Sequence, residues 1–152
     1  MPIRQAIEAD LPRLMELLYE LSQLGEIVES RPRTAGPLEQ AALRALQADE
    51  RFTCLVLDLD GRPDGTATLY ILPNLSHGGR PYAVVENVVV DSRHRGAGLG
   101  RELMEHAERL AVEANCYKIV LTSNRHRIHA HRFYERLGYV ATHHGFTKYL
   151  PE

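Results

Sequence analysis

The sequence predicts a mixed α/β domain, a sheet with both parallel and antiparallel strands flanked by helices. Three observations lead there. First, a valine-rich strand, Val84 to Val90, runs straight into a basic, glycine-spaced turn, Arg93 to Gly100, and then into an amphipathic helix from about Leu99 to Ala114. The apolar stretch Cys116 to Thr122 follows, so strand, helix and strand read as a right-handed crossover between two parallel strands. Second, two strand-like runs, Phe52 to Leu59 and Thr66 to Leu72, flank Asp60-Gly61, a turn signal that pairs them antiparallel. Third, Leu11, Leu14, Met15, Leu18 and Leu21 recur at helical spacing and mark a buried stripe.

The bulk properties set the frame. A chain of 152 residues is read as one domain, 1–152, long enough to bury a core. Its hydrophobic share of 44% and charged share of 25% are those of a water-soluble globular protein. A net charge of −2 argues against nucleic acid as a partner. No apolar run approaches membrane-spanning length and Met1-Pro2-Ile3-Arg4-Gln5 does not begin a signal peptide, so no membrane association is expected. The two cysteines, Cys54 and Cys116, lie in apolar strand-like surroundings and read as free thiols of a cytoplasmic protein.

In order, Pro2 to Ile7 reads as a short first strand. Asp10 is positioned to cap the following helix, and Pro12 suits its first turn. Gly25 ends or weakens that helix. Residues 26–36 read as a loop carrying the charged groups Glu26, Glu29, Arg31 and Arg33. Pro37 to Ala48 reads as a second helix with Leu38, Ala41, Ala42, Ala45 and Leu46 on one face. After the hairpin, Pro73 to Pro81 is a polar loop offering His77 and Arg80. Tyr82 to Asp91 has near-continuous valines, as expected for a central strand buried on both faces. The helix after the glycine turn buries Leu99, Leu103, Ala107, Leu110, Ala111 and Ala114, and Asn115 can cap its end. Asn124 to Ile128 is a basic connection, His129 to Leu137 a short helix stopped by Gly138, and 139–142 and 146–149 read as two closing strands.

The glycine turn is the chemical centre of the chain. The first N–H groups of a helix lack intrahelical partners, and the helix dipole places roughly half a positive charge there. Glycines at 96, 98 and 100 let backbone approach a bulky anion, and Arg93 and Arg95 add formal charge. A Walker loop would need Lys-Ser/Thr after the last glycine, where Arg101-Glu102 stands. A dinucleotide fingerprint would need G-x-G-x-x-G and an acid about 20 residues on. Here the spacing is G-x-G-x-G, and the next strand ends without an acid. A purely structural turn is the remaining alternative.

Arg95-Gly96-Ala97-Gly98-Leu99-Gly100 resembles the R/Q-x-x-G-x-G/A signature of the GNAT family of N-acetyltransferases, and Phe133-Tyr134-Glu135-Arg136-Leu137-Gly138-Tyr139 resembles a second motif of that family. The resemblance implies a GNAT fold whose two central parallel strands splay apart. It implies acetyl-CoA as co-substrate. The pantetheine arm would bond to backbone at Val88, Val89 and Val90, and the pyrophosphate would be taken by Arg95, Gly96, Ala97, Gly98, Leu99 and Gly100. Asn124 and Arg127 are further candidates for contact with the donor or an anionic acceptor, with Arg132 beside them. Pairing of two copies is frequent in the family, so a homodimer is expected. Two narrower resemblances compete. Residues 115–121 with 133–135 are similar to glucosamine-6-phosphate N-acetyltransferases. Asn124, Arg127 and 130–134, with 146–148, are similar to aminoalkylphosphonate acetyltransferases. Both groups acetylate small amines bearing a phosphate-like group.

Acetylating an amine needs two proton-handling groups. An amine of pKa near 10 is neutral in roughly one molecule per thousand at pH 7, so a base is required. Glu86, a lone carboxylate inside AVVENVVV, is the candidate, because burial raises a carboxyl pKa toward neutrality. Tyr134 is the candidate acid for the leaving thiolate, a role the resemblance implies. The segment 124–134 carries three His and three Arg, which fits anion binding better than a metal, since His131 falls on another helical face from His126 and His129 and no carboxylate joins them before Glu135. No metal site is expected. His143 and His144 are surface candidates near the acceptor. The expected function is acetyl-CoA-dependent N-acetylation of a small-molecule amine by direct transfer. Rival readings are a protein lysine or N-terminal acetyltransferase and a non-catalytic acyl-CoA-binding sensor.

Overall fold

The computed structural model describes residues 3–31 and 33–152; Pro2, the expected first residue of the first strand, and Pro32 in the 26–36 loop lie outside the described residues. The chain forms two compact units, one ending at Leu121 and one beginning at Thr122.

The first unit is a five-stranded sheet ordered β1-β2-β3-β4-β5. Its strands are β1 (Ile3–Gln5), β2 (Phe52–Leu59), β3 (Arg62–Leu72), β4 (Tyr82–Val90) and β5 (Ile119–Val120). Neighbours are antiparallel from β1 to β4, and β4 pairs β5 in parallel. The helices are α1 (Leu11–Ser22), α2 (Pro37–Gln47) and α3 (Leu99–Glu113). The mixed sheet flanked by helices is the expected fold class.

Strand alternation sends Cys54 and Val56 to one face and Leu55 and Leu57 to the other. On the first face, Val56 and Val89 form a core cluster with Leu11, Leu14 and Leu17 of α1 and Leu43 of α2, and Cys54 packs against it. On the second, Leu55, Leu57, Ala67, Leu69, Ala83 and Val85 are buried, and α3, which lies against β3 and β4, buries Leu99, Leu103, Met104, Ala107 and Ala111. The valines of β4 therefore do serve both faces. Within α1 the stripe is centred differently from the expectation. Leu17 is fully buried, whereas Met15, Leu18 and Leu21 are half-buried. Leu38 of α2 is exposed.

Several local expectations change for identifiable reasons. Asp10 precedes α1, but its carboxylate makes no cap bond. It accepts from Ile7 N–H (2.8 Å) and from both terminal nitrogens of Arg4 (2.7 and 2.9 Å). β3 begins at Arg62 rather than Thr66, because Pro63 sits at a register shift and Gly65 is a packing glycine: a Cβ there would lie 3.3 Å from Val89 O and 3.4 Å from Leu57 Cβ. Asp60 and Gly61 both take positive φ (54° and 83°), the geometry of a two-residue hairpin turn. Asn115 ends α3 as expected, at φ 59°: Asn115 N–H bonds Val112 O and Cys116 N–H bonds Ala111 O, a Schellman termination. That termination consumes Cys116, so β5 is only two residues of the expected seven.

The second unit carries α4 (Ile128–Arg136), which begins one residue before the expected helix. Gly138, at φ 94°, follows its end. No strand forms over 139–142 or 146–149. Alternation of apolar residues there has no ladder partner, and Val140, Phe146, Tyr149 and Leu150 stay exposed. Both cysteines are free thiols and half-buried. Among the described residues no helix is long and apolar enough to cross a membrane.

Candidate active site

β4 is not a regular strand. Thr68 pairs with Glu86 and Thr66 with Val89, so one residue of β3 faces two of β4. The extra residue makes a bulge, and Asn87 sits in it at φ 56°. Without the bulge, residues 86 and 89 would point to opposite faces. With it, Glu86 shares the α1/α2 face with Val89, and Glu86, Thr68 and Cys54 form one cross-strand row while Val89 lies beside Thr66. A valine at 87 would resist that φ, whereas asparagine tolerates it.

Glu86 is exposed rather than buried as expected from its place in the valine run, because the bulge turns it and Asn87 outward from the core; the neighbouring protein still desolvates its carboxyl enough to push its pKa above the usual carboxylate value. Its charge also reaches Tyr70, two residues along β3 from Thr68: burial raises the phenol's pKa and the negative charge of Glu86 raises it further. A carboxylate lifted in this way is a stronger proton acceptor than a free one. Neither thiol has the reactive character of a nucleophile, since burial pushes both Cys54 and Cys116 up from the ordinary value.

The parallel ladder between β4 and β5 covers only Ala83 and Val84. Beyond Val84, the β4 edge that faced β5 continues past the end of that two-residue strand. On its other edge β4 remains paired with β3 up to Val90. Backbone groups of 88–90 on the first edge are thus positioned to bond an extended ligand, as a strand bonds a neighbour. Val89 is buried and Val88 and Val90 half-buried.

β4 ends at Val90, and Asp91 after it caps a 3-10 turn over Ser92–His94. The glycine turn follows, with Gly96 at φ 83° and Gly98 at φ 80°, and α3 starts at Leu99 with no side-chain cap. A Cβ built on Gly96 or Gly98 meets nothing within 4 Å, so both glycines border open space at a helix N-terminus. An open, glycine-lined helix start of this kind is a cradle suited to an anion. The two arginines divide their work. Arg93 folds back in a bidentate pair on Asp91 (3.0 and 2.7 Å), so it does not add free charge to the cradle as expected. Arg95 is more loosely held, 3.4 Å from Val90 O and 3.8 Å from Glu20.

The family model described as the acetyltransferase (GNAT) family matches residues 13–139. The chain belongs to the GNAT family. Enzymes of this family are N-acetyltransferases that use acetyl-CoA. Among curated relatives, the glucosamine 6-phosphate N-acetyltransferase of Trypanosoma brucei brucei is 33% identical over 139 residues, covering 91% of this chain and 88% of that protein. The aminoalkylphosphonate N-acetyltransferase of Salmonella typhimurium is 35% identical over 91 residues, 60% of this chain and 58% of that protein. Among solved structures, one from Agrobacterium tumefaciens superposes with a TM-score of 0.88 at 39% identity, covering 99% and 100% of the two chains.

Of the GNAT residues expected from the sequence, Glu86, Val88–Val90 and Arg95–Gly100 all lie along one path in the first unit, from the β4 bulge to the start of α3. Asn124, Arg127 and Tyr134 belong to the second unit. There, Asn124 Oδ1 accepts from His126 N–H (2.9 Å), its carbonyl bonds the His131 ring (2.8 Å), and Arg127 stands at the start of α4. Tyr134 is buried, with its ring edge-on to Phe133 and Tyr139 at centroid distances of 5.1 and 5.9 Å. Arg80 bonds the carbonyls of Asn115 and Cys116 (3.3 and 3.1 Å), and His77 stacks on Tyr117 at 3.9 Å. Those contacts tie down the 73–81 loop. Asn87 was the residue that sequence reasoning missed. Its signal was a poor strand former, tolerant of positive φ, within a run of valines.

Proposed function

We propose that this GNAT enzyme transfers acetyl from acetyl-CoA directly to the primary amine of a small molecule bearing a phosphate or phosphonate group. The carrying observation is that two relatives matched at 33% and 35% identity are both named for amines with such a group. The family match runs unbroken across both structural units, which supports reading 1–152 as one catalytic domain. A homodimer in the cytoplasm belongs to the same reading.

In this mechanism Glu86 takes a proton from the acceptor ammonium, through a water. The freed amine attacks the thioester carbon, the C–N bond forms and the C–S bond breaks. Tyr134 gives its proton to the departing thiolate and recovers one from the new amide nitrogen. The pantetheine arm bonds backbone at Val88–Val90, and the pyrophosphate lies on 95–100. Asn124 and Arg127 serve the donor or the anionic end of the acceptor. Raised pKa values at both cysteines support transfer without an acyl-enzyme.

The test is a matched pair of acceptors, glucosamine 6-phosphate against glucosamine and 2-aminoethylphosphonate against ethylamine, with acetyl-CoA. A hydrogen-bonded anion site discriminates by roughly 10²-fold or more in kcat/KM. A preference of that order within either pair is expected. Equal use of both members of each pair would contradict an anionic acceptor.

A further inference from the structure

A cluster of charges that the proposed chemistry does not use lies behind the glycine turn. Asp91 is 2% exposed and Asp64 4% exposed. Arg13, on α1, reaches both: one guanidinium nitrogen pairs with Asp91 and lies 3.3 Å from Asp64 Oδ1, while its Nε bonds Pro63 O at 3.0 Å. Asp91 Oδ1 also accepts from the Arg93 backbone N–H at 2.8 Å. The main chain is fixed at the same place, with Asp91 N–H on Asp64 O (2.8 Å) and His94 N–H on Asp91 O (2.9 Å). Arg62, Arg93 and His94 come within 3.7–3.9 Å of Asp64. Hydrogen bonds from Arg93, then from Arg13, hold the Asp91 carboxyl well below the usual carboxylate range. Two helical turns along the same face of α1, Glu20 accepts from Ser92 N–H at 3.3 Å and pairs with Arg95.

We infer that Arg13 and Asp91 are positioning residues for the pyrophosphate of the donor: their ion pair, seated on Asp64, sets the path of residues 91–94 and hence the direction of the N–H groups at 95–100. The inference rests on the reading of that turn as the pyrophosphate cradle. A buried ion pair is a poor source of stability, since apolar replacements of similar volume are often as stable. What it supplies is one fixed geometry, and binding an anion with backbone N–H groups depends on their being aimed beforehand. The turn itself has two glycines at positive φ, so its direction has to be set by what precedes it. Both carboxylate oxygens of Asp91 and its own N–H and C=O are engaged in doing so.

Calorimetric titration of acetyl-CoA and of acetyl-pantetheine, which lacks the pyrophosphate, separates positioning from support of the fold. Asp91→Asn keeps an acceptor for the Arg93 N–H and removes the charge; Arg13→Gln removes the partner; Arg13→Lys restores charge without the fork. The expected result is a 10-fold or greater rise in the acetyl-CoA Kd for Asp91→Asn and Arg13→Gln. Arg13→Lys should be intermediate, the double variant no worse than either single, and the acetyl-pantetheine Kd unchanged throughout. An unchanged acetyl-CoA Kd would overturn the inference. So would parallel losses for both donors accompanied by a lower melting temperature, which mean structural support only. If the wild-type protein itself binds both donors equally, the cradle reading fails first and the inference falls with it.

Discussion

Glu86 is the residue whose environment and proposed role can be set against each other most directly. Its pKa is raised in the folded chain, so the fold favours its protonated form. The associated stability is present below the ordinary glutamate value of about 4.3 and is lost as pH rises through the folded value. At pH 7.5 the ionised carboxylate is therefore a cost to folding, and Glu86→Gln should melt no lower than wild type. Its kcat should nevertheless fall about 10²- to 10⁴-fold, and the acidic limb of kcat/KM, displaced above the ordinary carboxylate value in wild type, should flatten. Tyr134→Phe should lower kcat by roughly 10- to 1,000-fold with acetyl-CoA affinity little changed. Differential scanning together with pH–rate profiles reads all of this. Activity and melting temperature falling together for Glu86→Gln would mark it as a structural residue.

Among the elements, β4 with its bulge decides what the sheet can do. The bulge brings Glu86 and Val89 to one face and depends on a positive φ at Asn87. Asn87→Gly preserves that freedom and should keep kcat/KM within about 3-fold. Asn87→Val costs roughly 1–2 kcal/mol at that φ and should abolish most activity. Equal activity in the two variants would show that the bulge is irrelevant to Glu86. Strands β1, β2 and β4, the three long helices and the crossover from β4 to β5 were legible in the sequence because apolar periodicity reports burial, and the turn at Asp60-Gly61 and the cap at Asn115 because positive φ selects few residues. The bulge was hidden, since an unbroken valine run masks a change of phase. The start of β3 was hidden by Pro63 and Gly65, which read as breakers. The expected strands at 139–142 and 146–149 failed because alternation proposes a strand but only a ladder makes one. At the site, Glu86 and the turn were recognisable by residue type and spacing. The Arg13–Asp91 pair was not, because the two residues are 78 apart in sequence.

At the scale of the whole molecule, a net charge of −2 means that an anionic acceptor must be drawn by local groups rather than by the overall field. Arg127 and Arg132 in the second unit are the groups proposed for that work, while Arg95 is proposed for the donor pyrophosphate. The GNAT match spans residues of both units. The central claim of the proposed function is that acetyl-CoA is spent on a small anionic amine. The most direct measurement is release of free CoA from acetyl-CoA across classes of acceptor: phosphorylated and phosphonylated amines, uncharged amines, polyamines, and peptides with free lysine or N-terminal amines. Turnover confined to the phosphorylated or phosphonylated amines, with product mass increased by one acetyl group, is the predicted result. Turnover on peptides alone, or tight CoA binding with no turnover on any amine, would contradict it.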